Sequence, residues 1–307
     1  TGSPGTDYAG SRKQTGPQAG QTDIRLTINN SFSKEEKFMK KILTLALTAA
    51  LALTALAGCG KKNEDDTVIK IAATAVPHEE ILEAARPLLE AKGYTLEIKV
   101  FDDYVQPNNV VESGEMDANY FQHILYLNQF NEGEGTHLVI AGSIHYEPMG
   151  IYPGKESDLT KAGEGTTIAV PNDPTNEARA LMLLAENGLI ELADGAGINA
   201  TKADVTKDNG IELIEIEAAQ IPRMLGEVSF GVLNGNYALQ AGLDVQKGAV
   251  ASETSDSDSI KDNYVNVIAV KEGNESLPKI KALVEVLKSD DIKKFIEEKY
   301  QGSVVAF

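Results

Sequence analysis

Cysteine is almost missing from this chain: Cys59 is the single one in 307 residues, and tryptophan is absent. One thiol forms no internal disulfide, so the fold must be held by its own apolar core. Histidine is scarce too, at four residues, with no His-x-x-x-His pair and no Cys/His cluster. That removes the usual sequence patterns of zinc sites, and no glycine-rich phosphate loop follows a strand either. Positive charge is also short, with 28 Lys and Arg against 46 Asp and Glu and a formal net charge of −18. Phosphate binding needs clustered Lys and Arg, so nucleic acid is excluded as a partner.

What is present starts at that lone cysteine. Met39-Lys40-Lys41 opens a basic segment, residues 42–56 form an apolar run, and Ala57-Gly58-Cys59 closes it with small residues and a thiol. This is the layout of a lipoprotein export signal over 39–58, with Cys59 at the cleavage position. About 16 apolar residues are too few for a membrane-spanning helix, which takes roughly 20. Acyl chains such as palmitate on Cys59 would supply stable anchoring at ~0.8 kcal/mol per buried CH2. The mature protein is therefore expected outside the cytoplasm, tethered to the cell membrane.

Residues 1–38 have no apolar periodicity and are rich in Gly, Ser, Thr and Gln, as expected of a non-native or disordered leader. Lys34-Glu35-Glu36 just before Met39 can be encoded by a purine-rich ribosome-binding sequence, which suits a reading frame opened too early. The leader and signal hold seven of the 28 basic and four of the 46 acidic residues, leaving 21 against 42 and a formal charge of −21 in the remainder. Such acidity favours solubility. Residues 59–66 carry a charged run without apolar side chains and are expected to be a lipid-anchored linker.

From Thr67 the pattern is β-strand (68–72), helix (78–92), β-strand (96–100), a βαβ unit in which Pro87 predicts a kink or an early stop. Strand-like segments at 137–140, 167–170, 211–216, 230–233 and 265–270 alternate with helical ones, the last two at 278–287 and 291–300. This predicts an α/β fold with largely parallel sheets covered on both faces, and some 240 residues suit two lobes.

Three segments carry candidate chemistry. In Val170-Pro171-Asn172-Asp173-Pro174-Thr175-Asn176-Glu177-Ala178-Arg179 a strand end runs through a proline-bounded turn into a helix, with Thr175 or Asn176 as the expected N-cap. Free N–H groups there, with Arg179 one turn in, could hold a carboxylate; Arg179 could equally pair with an acid on its own helix. In Asp117-Ala118-Asn119-Tyr120-Phe121-Gln122-His123-Ile124-Leu125-Tyr126-Leu127 the aromatics at a strand-to-helix transition could line an apolar slot or simply fill core. Asn234-Gly235-Asn236-Tyr237-Ala238 follows a strand end and reads equally well as a turn.

These segments, with Asp102-Asp103-Tyr104-Val105-Gln106-Pro107-Asn108, Glu147-Pro148-Met149-Gly150-Ile151-Tyr152 and Gln220-Ile221-Pro222-Arg223, occur in one order and together resemble the MetQ/NlpA methionine-binding lipoproteins from Met39 to Phe307. The resemblance implies a type 2 periplasmic-binding-protein fold, two α/β lobes joined by two crossing strands near 149–152 and 264–267, with ligand in the cleft. Lobe 1 would comprise 67–148 and 267–307, and lobe 2 would be 149–266. By matching position, Arg179, Asn234, Asn176 and Asn236 would hold the carboxylate and amino ends of the ligand. Tyr104, Phe121, His123 and Tyr146 would form the aromatic wall for its thioether. No catalytic residue, metal or cofactor is implied.

The expected function is non-enzymatic: a monomer that captures methionine, the L-isomer first, and hands it to the permease and ATPase subunits of an ABC importer. Close homologues are thought to take D-methionine or a methionine-containing dipeptide. The stretch Gly226-Glu227-Val228-Ser229-Phe230-Gly231 departs from the family pattern and leaves another amino acid or such a dipeptide as the alternative ligand. An enzyme on the same two-lobed fold would have to use His123 with a cleft acid as general base.

Overall fold

The computed structural model describes residues 64–254 and 262–307. The leader, the export signal and Cys59 lie outside the described residues. Within the expected linker, Glu64–Thr67 is a helical turn leading directly into the first strand. No helix among the described residues is long and apolar enough to cross a membrane.

The first half of the chain builds β1 (Val68–Ala73), α1 (Glu80–Ala91), β2 (Thr95–Val100), α2 (Gln106–Glu112), β3 (Ala118–His123), α3 (Ile124–Glu134) and β4 (Leu138–Tyr146). The chain then crosses to a second sheet through β5 (Gly150–Pro153), β6 (Thr167–Pro171), α4 (Pro174–Glu186), the short hairpin β7 (Glu191–Leu192) with β8 (Val205–Lys207), β9 (Glu212–Ile216), β10 (Phe230–Leu233), α5 (Gly235–Gln240) and β11 (Ala251–Ser252). It returns for β12 (Val265–Lys271), α6 (Pro278–Leu287), α7 (Asp290–Tyr300) and β13 (Val305–Ala306). Strand order is β13-β4-β12-β3-β1-β2 in one sheet and β11-β5-β10-β6-β9 in the other.

Both sheets are mixed rather than largely parallel. β1 runs parallel to β2 and β3, and β6 parallel to β9 and β10, as βαβ connection requires. β12 is antiparallel to β3 and β4, and β5 is antiparallel to β10 and β11. The exceptions are β5 and β12, the first strand after each crossing, which enter their sheets against the direction of the βαβ strands, and the terminal β13, which is antiparallel to β4.

Alternation along the strands explains why each sheet is covered twice. In β12, Ile268 and Val270 join Ile71, Leu82 and Leu283 on one face, whereas Val267 and Ala269 join Val111 and Leu127 on the other. A strand buried on both faces reads as an unbroken apolar run. In the second sheet Ile168 and Val170 pack with Leu181 and Phe230, while Ala169 packs with Tyr152 and Ile221. Gly231 belongs to that second face: a Cβ there would lie 2.8 Å from Leu225 Cδ2 and 3.0 Å from Ile221 Cγ2. The glycine that breaks the family pattern thus answers a packing requirement.

Pro87 neither breaks α1 nor ends it. It sits on the exposed side of the helix, as does Glu83, whose carbonyl would have received the missing N–H. On that side water can take the bond instead, while Ile81, Leu82, Ala85 and Leu89 keep the opposite stripe buried.

Candidate functional site

The site lies where the carboxyl ends of β3, β6 and β10 meet the crossing segments. β3 ends in His123, which is also the N-cap of α3, its Nδ1 accepting from Tyr126 N at 3.1 Å. β6 ends in Pro171, and α4 starts two residues earlier than a Thr175 cap would place it and three earlier than an Asn176 cap: Asp173 is the N-cap and Pro174 the first helical residue. Proline is well suited there because its lacking N–H is not needed, and the Asp173 carboxylate accepts from Asn176 N at 3.1 Å. That frees Asn176 and Arg179 to project from the first turns of α4. β10 delivers Asn234 as N-cap of α5.

The pocket is lined by Tyr104, Phe121, His123, Asn176, Arg179, Asn234 and Asn236, so seven of the eight residues expected from the sequence meet there. This is a nearly shut cleft of about 330 Å3. Tyr146 is the exception: its hydroxyl donates to Glu253 Oε2 at 2.7 Å and it stands outside the lining. It supports the arginine instead of contacting the pocket.

Arg179 is 3 % exposed and does not pair along its own helix. Its Nε donates to Glu253 Oε1 at 2.7 Å, and Nη2 donates to Glu253 Oε2 at 2.6 Å and to the Glu147 carbonyl at 2.8 Å. The Tyr264 ring lies 4.3 Å from its Cζ. Burial works against its charge, and Glu253 outweighs burial, so the guanidinium is held above its ordinary value. Nη1 is the nitrogen not committed to Glu253 or Glu147.

Two amides form a chain beside it, those of Asn176 and Asn234. Asn176 Nδ2 donates to both Asp173 oxygens, at 2.9 and 3.1 Å, and Asn176 Oδ1 accepts from Asn234 Nδ2 at 2.7 Å. His123 Nε2 stands 3.1 Å from the same Asn176 oxygen. Since Nδ1 accepts a backbone N–H, the proton sits on Nε2 and is donated to Asn176. Burial, then Arg179, pushes this imidazole down to about 3. A neutral ring with both nitrogens engaged has no lone pair to act as a general base.

Two polar atoms at the pocket are buried without a hydrogen bond: Asn234 Oδ1, an acceptor, and Asn236 Nδ2, a donor. Asn236 Oδ1 is already taken by the Tyr104 hydroxyl at 2.6 Å. Buried amide groups left in this state cost roughly 1–3 kcal/mol each, which makes them groups awaiting a partner. The apolar side is a ring cluster: Tyr104 lies 5.7 Å from Phe121, 5.6 Å from Tyr126 and 4.9 Å from Tyr237, centroid to centroid.

Sequence reasoning missed Glu147, Tyr126 and Asn266 in the lining, and Glu253 behind it. Glu147 and Tyr126 were inside recognised motifs. Glu147 is buried against α5, where a Cβ on Gly235 would come within 2.7 Å of its Cβ. Its Oε1 accepts from His145 Nε2 at 2.7 Å and lies 3.4 Å from His78 Nε2. Burial raises its pKa and lowers those of His78, to about 4, and His145, to about 3. Among the described residues this is the one trio placed to ligate an ion. All four imidazole nitrogens are already bonded, through Thr74 and Asn266 on His78 and through Tyr120 and Glu147 on His145.

Two mixed α/β lobes with a polar clamp and an aromatic slot between them define a substrate-binding protein of the type 2 periplasmic-binding-protein fold, not an enzyme. The family model for the NlpA lipoproteins matches residues 69–307, and the chain belongs to that family. It is 41% identical over 278 residues to the methionine-binding lipoprotein MetQ of Bacillus subtilis, covering 87% of this chain and 98% of that protein. It is also similar to a nutrient binding protein from Burkholderia cenocepacia solved bound to methionine, with 39% identity, TM-score 0.73, and coverage of 78% and 99% of the two chains. An ABC transporter periplasmic substrate-binding protein from Coxiella burnetii matches at 35% identity and TM-score 0.72, over 78% of this chain and all of that one.

Proposed function

We propose that this protein captures methionine, in the first place the L-isomer, and delivers it to the permease and ATPase subunits of an ABC importer. One observation carries the reading: a buried acceptor and a buried donor without partners, Asn234 Oδ1 and Asn236 Nδ2, share a pocket with a cation and an aromatic cluster. A zwitterionic amino acid satisfies that set. Its carboxylate takes Nη1 of Arg179 and the Asn236 amide, and its ammonium takes Asn234 Oδ1 with Glu147 as nearby counter-charge. Its thioether meets the edges of Tyr104 and Phe121, a contact worth ~0.3–1.5 kcal/mol. Charge-assisted hydrogen bonds, at roughly 1.5–3 kcal/mol each, supply more of the affinity.

In this reading the protein works as a monomer, acylated at Cys59 on the extracytoplasmic face of the membrane. Lobe 1 comprises 67–148 and 267–307 and lobe 2 comprises 149–266, a division supported by the passage between sheets after Tyr146 and before Val265. Ligand exchange follows hinge motion at those passages. Thermal-shift measurement against L-methionine, D-methionine, a Gly-Met dipeptide and the other amino acids tests it. Methionine at about 100 times its Kd is expected to add ~2.7 kcal/mol of stability. No shift with either isomer, or a larger one with an unrelated amino acid, counts against it.

A further inference from the structure

Glu253 opens the return passage, immediately after β11, and lies 74 residues from the arginine it holds. Its carboxylate receives four hydrogen bonds: two from Arg179, one from the Tyr146 hydroxyl at 2.7 Å and one from Met149 N at 2.8 Å. Its own backbone N–H donates to the Met149 carbonyl at 3.0 Å. Tyr146 ends β4 and Met149 lies in the outward passage, so this one side chain ties both passages to each other and to α4. Arg179 completes the knot by donating from Nη2 to the carbonyl of Glu147, also in the outward passage.

We infer that Glu253 is a positioning residue for ligand recognition: it fixes the guanidinium edge-on, keeps Nη1 turned to the pocket, and couples that orientation to the two passages between the lobes. The inference rests on the carboxylate role proposed for Arg179. The chemistry is specific. A bidentate carboxylate is the one side chain that occupies Nε and Nη2 of a buried guanidinium together, compensates its charge, and leaves the remaining nitrogen for a second carboxylate, that of the ligand. Were Glu253 merely packing, its loss would weaken binding independently of Arg179.

A double-mutant cycle separates the two. Methionine binding is measured by calorimetry on the wild type, Glu253→Gln, Arg179→Lys and the double variant, each checked for folding by circular dichroism. Glu253→Gln is expected to weaken binding at least 10-fold, and the double variant to bind within about 2-fold of Arg179→Lys alone. A Glu253→Gln affinity within 2-fold of wild type, or losses that multiply in the double variant, overturns the inference. If Glu253→Gln does not fold, Tyr146→Phe replaces it, removing one of the four bonds to the carboxylate. Its smaller loss should vanish in the Arg179→Lys background, and a loss of equal size there overturns the inference just as well. A wild type that fails to bind methionine instead overturns the functional reading on which all of this stands.

Discussion

In the proposed reading Arg179 answers to two acids, Glu253 permanently behind it and a ligand carboxylate transiently in front. The buried pair with Glu253 makes truncation costly before any ligand is present. Arg179→Ala leaves the Glu253 carboxylate buried and uncompensated, so the ligand-free variant should lose about 3–5 kcal/mol of stability, read from the urea midpoint. An Arg179 that served only the ligand would leave that midpoint unchanged. At this scale the sequence was informative where residues cluster in short motifs: Tyr104, Phe121, His123, Asn176, Arg179, Asn234 and Asn236 all reach the lining. Glu253 was invisible, because nothing near it in the chain distinguishes it from other acids; its meaning comes from a partner on a different element.

Among elements, α4 matters most, since its first turns aim Asn176 and Arg179. Asp173 anchors it through both the Asn176 N–H and the Asn176 side chain. Asp173→Ala should cost ~1 kcal/mol in lost capping, measured by thermal unfolding, and should weaken binding further because Asn176 loses the seat that orients its oxygen. Unchanged affinity would argue against that seat. Element identity was legible from periodicity: the strand at 230–233 and the helix at 278–287 occur as expected. Strand direction was not, because alternation along one strand says nothing about its neighbour's polarity. Pro87 shows the same limit, since tolerance of a proline depends on which side of its helix faces water.

The whole molecule carries a pH signature. His78, His123 and His145 are held neutral in the fold, with pKa values pushed down to about 4, 3 and 3 chiefly by burial. Unfolded, each would titrate near 6.5. Between those values the unfolded chain binds more protons, so stability is full above about pH 6.5 and falls as pH drops, by up to about 1.4 kcal/mol per unit for each imidazole. Glu147, Asp173 and Glu177, raised by burial, act in the opposite sense. Glu83, held low by its hydrogen bonds from Arg86, and Glu112, held low by those from His137, lose stability on acidification as the imidazoles do. Denaturant midpoints should therefore decline from pH 6.5 to 4, and a flat profile would mean that the imidazoles are protonated in the folded protein.

The rim of the cleft is bridged twice, and in opposite directions. Tyr104 donates to Asn236 across it, and Tyr237 donates back to the Asp102 carbonyl at 3.1 Å. In the proposed reading a guest crosses this rim only when both hydroxyls let go together, so dwell time is a quantity these tyrosines govern. In stopped-flow experiments Tyr237→Phe should hasten departure several-fold, and an unchanged departure rate would show that the bridge holds nothing in.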